Sequence, residues 1–156
     1  MATILQLTLN PEPILRRRLA EIPARNAASA DIQTLTEDMR VTMVAAQGIG
    51  LAANQVGKDF RMFTIDRGLA QQAGISDVFI NPVIEGTAKK TAAMEEGCLS
   101  IPGKFDEVRR PAEITVSALN ERGKSFRVTA KGLLARVLQH EIDHLDGKLF
   151  IDRLTK

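Results

Sequence analysis

The sequence predicts an α+β protein, with mixed, mostly antiparallel β-sheets around a central helix that carries a His-Glu-x-x-His motif. Three observations predict it. Apolar residues recur at helical spacing in two stretches, one around Ile32–Met43 and one around Leu133–Leu145. Short runs of β-formers bounded by turn residues fill the region between them. The strands come as a block that precedes the last helix, rather than alternating with helices as in a parallel sheet.

Taken in order, Pro11, Pro13 and Pro23 bracket a segment with the run Arg16-Arg17-Arg18, read as a solvated helix end and not a binding patch. The first helix has Ile32, Leu35, Met39 and Met43 on one face; Ser29 or Asp31 can cap it and Gly48 can stop it. Gly48-Ile-Gly-Leu-Ala-Ala-Asn-Gln55 reads as a loop whose small residues let backbone approach something closely. Arg61–Asp66 and Val78–Ile84 read as strands, and Glu113–Leu119 with Lys124–Thr129 as a hairpin turned by Asn120-Glu-Arg-Gly123. The final helix is expected from about Ala130 to Leu145, with Leu133, Leu134, Val137 and Leu138 as a wide apolar face and Asp146-Gly147 as its end. A strand-like tail, Lys148–Leu154, follows. There is no internal repeat, and residues 1–156 are read as one catalytic domain.

Composition narrows the function classes. A net charge of +2 gives no basic face for nucleic acid. No apolar run approaches the roughly 20 residues of a membrane helix, and no secretory signal opens the chain. A single cysteine excludes an internal disulfide and points to a reducing compartment, the cytoplasm or an organelle matrix. With no Trp or Tyr, the core must be aliphatic, supplemented by six Phe.

Both histidines of the chain lie in His140-Glu-Ile-Asp-His144. Residues four apart on a helix differ by about 40° in direction and about 6 Å in height, so the two imidazoles can share one metal ion. Glu141, about 100° round, can meet a water on that ion. No third His exists. Cys98, in Glu96-Gly-Cys-Leu-Ser100, is the one soft ligand available. A Cys-His-His set leaves one tetrahedral position open and suits Fe(II), Co(II), Ni(II) or Zn(II) alike. Asp143 and Gln139 are nearby candidates to orient the imidazoles.

With Gly48-Ile-Gly-Leu-Ala-Ala-Asn-Gln55, Glu96-Gly-Cys-Leu-Ser100 and Gln139-His-Glu-Ile-Asp-His144 all present and in order, the chain resembles the peptide deformylases. The likeness extends through Pro13-Ile-Leu-Arg16 and Leu145-Asp-Gly-Lys-Leu-Phe150, nearly end to end. It implies one divalent metal ion, typically Fe(II), held by Cys98, His140 and His144. It implies that Glu141 takes a proton from the water on that ion and passes it to the departing amine, while the Gln55 side-chain amide and the Leu99 backbone N–H stabilise an oxyanion. Ile49, Gly50, Gly97 and Leu133 would line the approach and the methionine pocket, and Glu96 would pair with Arg110 behind the cysteine. The implied substrates are N-formylmethionyl peptides and nascent chains, and the implied products formate and a free N-terminal Met, made by a monomer. The sequence stops at Lys156, ahead of the C-terminal helix through which many bacterial members can contact the ribosome, so ribosome contact is left open.

Two other readings use the same residues. A zinc endopeptidase would use the same helix, but lacks a third His or Glu ligand in a recognisable place. A non-catalytic binder, such as a copper site with Met94 as axial ligand, needs neither Glu141 nor Gln55.

Overall fold

The computed structural model describes residues 1–154. The first helix, α1 (Ala30–Ala45), starts where the Ser29 hydroxyl accepts from the Ile32 N–H at 3.4 Å. Its stripe of Ile32, Leu35, Met39 and Met43 is buried. The helix ends three residues before Gly48, because Gln47 itself takes a left-handed φ of 59° and the Gly48 N–H bonds back to the Met43 carbonyl.

The segment expected to be a loop is half regular. Strand β1 (Gly50–Ala52) pairs with β2 (Met62–Ile65), and Ala53–Val56 forms a buried 3-10 turn between them. A short helix, α2 (Arg67–Ala73), capped by Asp66, then leads to β3 (Val78–Thr87). With β6 (Glu113–Leu119) and β7 (Ser125–Lys131), these strands make a five-stranded sheet in the order β1-β2-β3-β6-β7, every neighbour antiparallel. Alternation along β6 turns Ile114, Val116 and Ala118 inward. Phe63 and Phe79 stack across β2 and β3 with centroids 4.8 Å apart, and Phe126 meets Phe79 edge-on. The aliphatic core thus gathers its aromatics at one place.

Two strands had no sequence reading. β4 (Thr91–Cys98) and β5 (Ile101–Pro111) form a separate two-stranded sheet. Most of their side chains are exposed, so no apolar alternation marks them.

The last long helix, α3 (Gly132–Leu145), packs against β1, β2, β6 and β7. It begins two residues later than expected because β7 continues its pairing to Lys131, opposite Glu113. Val137, Leu138, Ile142 and Leu145 are buried, whereas Leu133 stays 45% exposed at the helix start. No helix among the described residues is long and apolar enough to cross a membrane.

The tail is not a strand. Phe150–Arg153 is a 3-10 turn, closed by Asp152 accepting from the Leu149 N–H at 3.0 Å, and only Leu154 makes a single bridge, to Val108. The arginine run is the exposed end of a short 3-10 helix: Arg16 closes the turn Pro13–Arg16 and Arg17 leaves it in extended backbone. Its members form exposed ion pairs, Arg16 with Asp152, Arg17 with Asp59 and Arg18 with Asp146. Gly147, just past α3, has φ of 75°, and a Cβ there would lie 2.5 Å from the Arg16 carbonyl oxygen. That contact docks the N-terminal segment onto the end of the histidine helix.

Candidate metal centre and active site

One helical turn separates His140 from His144 on α3, and it brings their Nε2 atoms to 3.2 Å. Cys98 ends β4, placing its Sγ 3.3 Å from His144 Nε2. The three donor atoms all lie within 4.8 Å of one another. An ideal tetrahedral site with ordinary Zn–N and Zn–S bonds has ligand–ligand edges of roughly 3.3 to 3.6 Å. The donor set therefore fits a single divalent ion, and could hold one with the remaining position facing the cavity.

That cavity, about 540 Å³, is lined by Ile49, Gly50, Gln55, Gly97, Leu99 and Leu133 together with Cys98, His140 and Glu141. The size suits a small ligand or an extended peptide end. Ile49 and Leu133, with Met94 and Phe105, are its large exposed apolar members. Gly50 is required here: a Cβ would come within 2.6 Å of Glu141 Oε2. Gly97 is covered by the Phe105 ring, which a Cβ would meet at 2.5 Å.

Glu141 is 4% exposed, and its Oε1 has no hydrogen-bond partner. Burial pushes its carboxyl up to about 7, against the opposing charge of His140. Gln55 has its amide oriented at both ends. Its Oε1 accepts from the Ala52 N–H at 3.0 Å, and its Nε2 faces Ser100 Oγ at 3.1 Å and Cys98 Sγ at 3.5 Å.

Behind the histidines lies a dense ionic network. Glu96 takes a bidentate bond from Arg110 at 2.6 and 3.0 Å, a third from Arg136 at 2.8 Å, and faces His140 Nδ1 at 2.9 Å. Burial alone would raise the Glu96 carboxyl, but the bonds from His140, Arg110 and Arg136 outweigh it and hold the group far below the usual range. His140 is lowered by burial, yet its bonds with Cys98 and Glu96 win and lift it to about 10. His144 has no such carboxylate partner; burial, with the charges of His140 and Arg110, keeps it well below the ordinary imidazole value.

The structure corrects the expected supports. Gln139 turns away, donating to the carbonyls of Pro111 and Ala135. Asp143 binds Arg110 and Arg153 and so supports the network one step further out. Arg110, paired with Glu96 as expected, stands within β5, opposite Ala92. Arg136 and Ser100 had no place in the sequence reading. Arg136 was legible in principle, since it precedes His140 by one helical turn and so shares its face.

A two-histidine helix, a cysteine that could join it in holding a metal ion and a buried carboxylate on one cavity place the chain in the class of metal-dependent amide hydrolases. The model of a family described as polypeptide deformylase matches residues 4–156. The chain belongs to that family. A peptide deformylase from Mesorhizobium japonicum is 45% identical over 150 residues, covering 96% of this chain and 84% of the relative. One from Picosynechococcus is 46% identical, covering 96% and 79%. Among solved structures, a peptide deformylase from Thermotoga maritima has a TM-score of 0.89 at 36% identity, covering 98% of this chain and 99% of that one. An actinonin-bound peptide deformylase from Acinetobacter baumannii has 0.90 at 30% identity, covering 99% and 100%.

Proposed function

We propose that the chain removes the formyl group from N-terminal formyl-methionine of newly made peptides, with Cys98, His140 and His144 holding the metal. One observation carries this reading: Glu141, buried and with one carboxylate oxygen lacking a protein partner, lines the same cavity as Cys98 and His140 of the three-donor cluster. When bound, a divalent cation supplies Lewis acidity, lowering the pKa of water and polarising a carbonyl.

The chain's own residues do the rest. Glu141 takes a proton from the attacking water, whose oxygen bonds to the formyl carbon. The oxyanion that forms accepts from the Gln55 side-chain amide and the Leu99 N–H. Glu141 then gives its proton to the amine nitrogen as the C–N bond breaks, leaving formate and a free N-terminal Met. Ile49, Gly50, Gly97 and Leu133 receive the methionine end, and Glu96 with Arg110 steadies the Cys98 strand from behind. We further assign Fe(II) as the natural ion, with Ni(II), Co(II) or Zn(II) able to substitute, since thiolate and imidazole accept all four. The single cysteine also favours a reducing compartment, the cytoplasm or an organelle matrix, and the proposed acting form is a monomer.

The test offers formyl-Met, acetyl-Met and unblocked peptides to protein loaded with Fe(II) or Ni(II) without oxygen. Formate release from the first alone is expected. Internal cleavage of the unblocked peptide would favour an endopeptidase, and no turnover with any metal a binding module. The Fe(II) form should lose activity in air, because a thiolate and a redox-active ion share one open site; activity that persists for hours would rule out Fe(II).

A further inference from the structure

Three buried side-chain polar atoms among the described residues lack a partner: Glu141 Oε1, Asn54 Oδ1 and His144 Nδ1. The first belongs to a residue of the cavity lining. The other two belong to residues already in contact, for Asn54 Nδ2 donates to the His144 carbonyl at 2.8 Å, and both residues are 0% exposed.

The pairing has a chemical logic. His144 turns Nε2 toward Cys98 and His140, so as a ligand it must carry its proton on Nδ1. That makes Nδ1–H a buried donor. His140 meets the same need through Glu96. Of the two unpaired acceptors, Asn54 Oδ1 belongs to the residue already bonded to His144, whereas Glu141 is a residue of the cavity lining.

We propose that Asn54 is the positioning residue of His144, holding the ligand's carbonyl with Nδ2 and receiving its Nδ1–H at Oδ1 through one bridging water. Asn54 is placed to do so by the buried 3-10 turn Ala53–Val56. The next residue, Gln55, reaches Ser100 and Cys98 from that same turn. Consecutive side chains thus tie one short turn to both ligand-bearing elements, α3 and the end of β4. The proposal rests on His144 being a metal ligand, and it predicts that the histidine pair is oriented by unlike partners, a carboxylate for one and a neutral amide for the other.

The test exploits the presence of only two histidines. In Zn(II)-loaded, 15N-labelled protein, each imidazole gives its own long-range 1H–15N pattern. Asn54→Leu should abolish or broaden the His144 Nδ1–H line, leave that of His140 in place, and speed Zn(II) release to a chelator by roughly 10- to 100-fold. An unchanged His144 line with unchanged release overturns the proposal. Should the Leu variant fail to fold, Asn54→Asp retains the acceptor and strengthens it, so the His144 line should persist and move downfield; an unmoved line is equally fatal. Formate release by the wild type is scored separately. Its failure with Zn(II) bound would count against deformylation and leave the role of Asn54 standing, whereas wild-type protein that retains no Zn(II) overturns both.

Discussion

Two glutamates flank the histidine pair, and nearly everything about them differs except their burial. Glu96 is 6% exposed and Glu141 4%. Glu96 has two arginines and an imidazole on its oxygens and is held firmly ionised. Glu141 has a partnerless oxygen, a glycine pressed against its carboxylate, and a carboxyl raised to about 7. A carboxylate saturated by fixed donors is architecture: it orients a ligand and resists protonation. One left unsatisfied in a dry wall is poised for proton transfer near neutral pH. The difference lies in the neighbours, not in the residue type.

Variants can break this contrast. Glu141→Gln should lower kcat by two to four orders of magnitude, the scale for losing a general acid–base, while the metal stays bound and the melting temperature barely moves. Full activity in that variant, with metal content verified, would remove Glu141 from the mechanism. Glu96→Ala should act mainly on stability. It takes the carboxylate from buried Arg136 and leaves Arg110 with Asp143 alone, at a cost of about 3 to 5 kcal/mol in denaturant unfolding. A loss below 1 kcal/mol would mean that water reaches those arginines.

The exposed pair of Arg16 and Asp152 gives the lower bound of the comparison. Arg16→Ala should cost no more than about 1 kcal/mol. The Arg16 bond lowers the Asp152 carboxyl, with burial opposing it. A depressed carboxyl stabilises the fold above its unfolded pKa, and that contribution is lost as pH falls through the folded value. The stability gap between wild type and Arg16→Ala should therefore be constant at neutral pH and close below about pH 4. A gap that widens in acid would contradict the assigned pair.

How much of this was legible in the sequence follows from what patterned it. Helices α1 and α3 and the β6–β7 hairpin declared themselves because burial imposed a period on them, as at Ile32–Met43 and at Ile114, Val116 and Ala118, whereas the short α2, which buries only Ala70, had no sequence reading. The β4–β5 sheet did not, since a mostly exposed hairpin carries no such period. Cys98, His140 and His144 were readable from rarity and spacing. Ser100 and Asn54 were not singled out, because the contacts of a serine or an asparagine depend on tertiary placement that no local spacing encodes, and Arg136 shows only its helix face in the sequence, not its bond to Glu96.

The separate two-stranded sheet has a last consequence. Cys98 belongs to that hairpin, while both histidines belong to the helix packed on the main sheet. An ion shared by the three would act as a clasp between two units able to open at different free energies. Its binding energy would then appear as local protection, with the hairpin amides exchanging more slowly in the loaded protein and the main sheet changing far less. Stripping the metal would loosen one flap long before it unfolded the molecule.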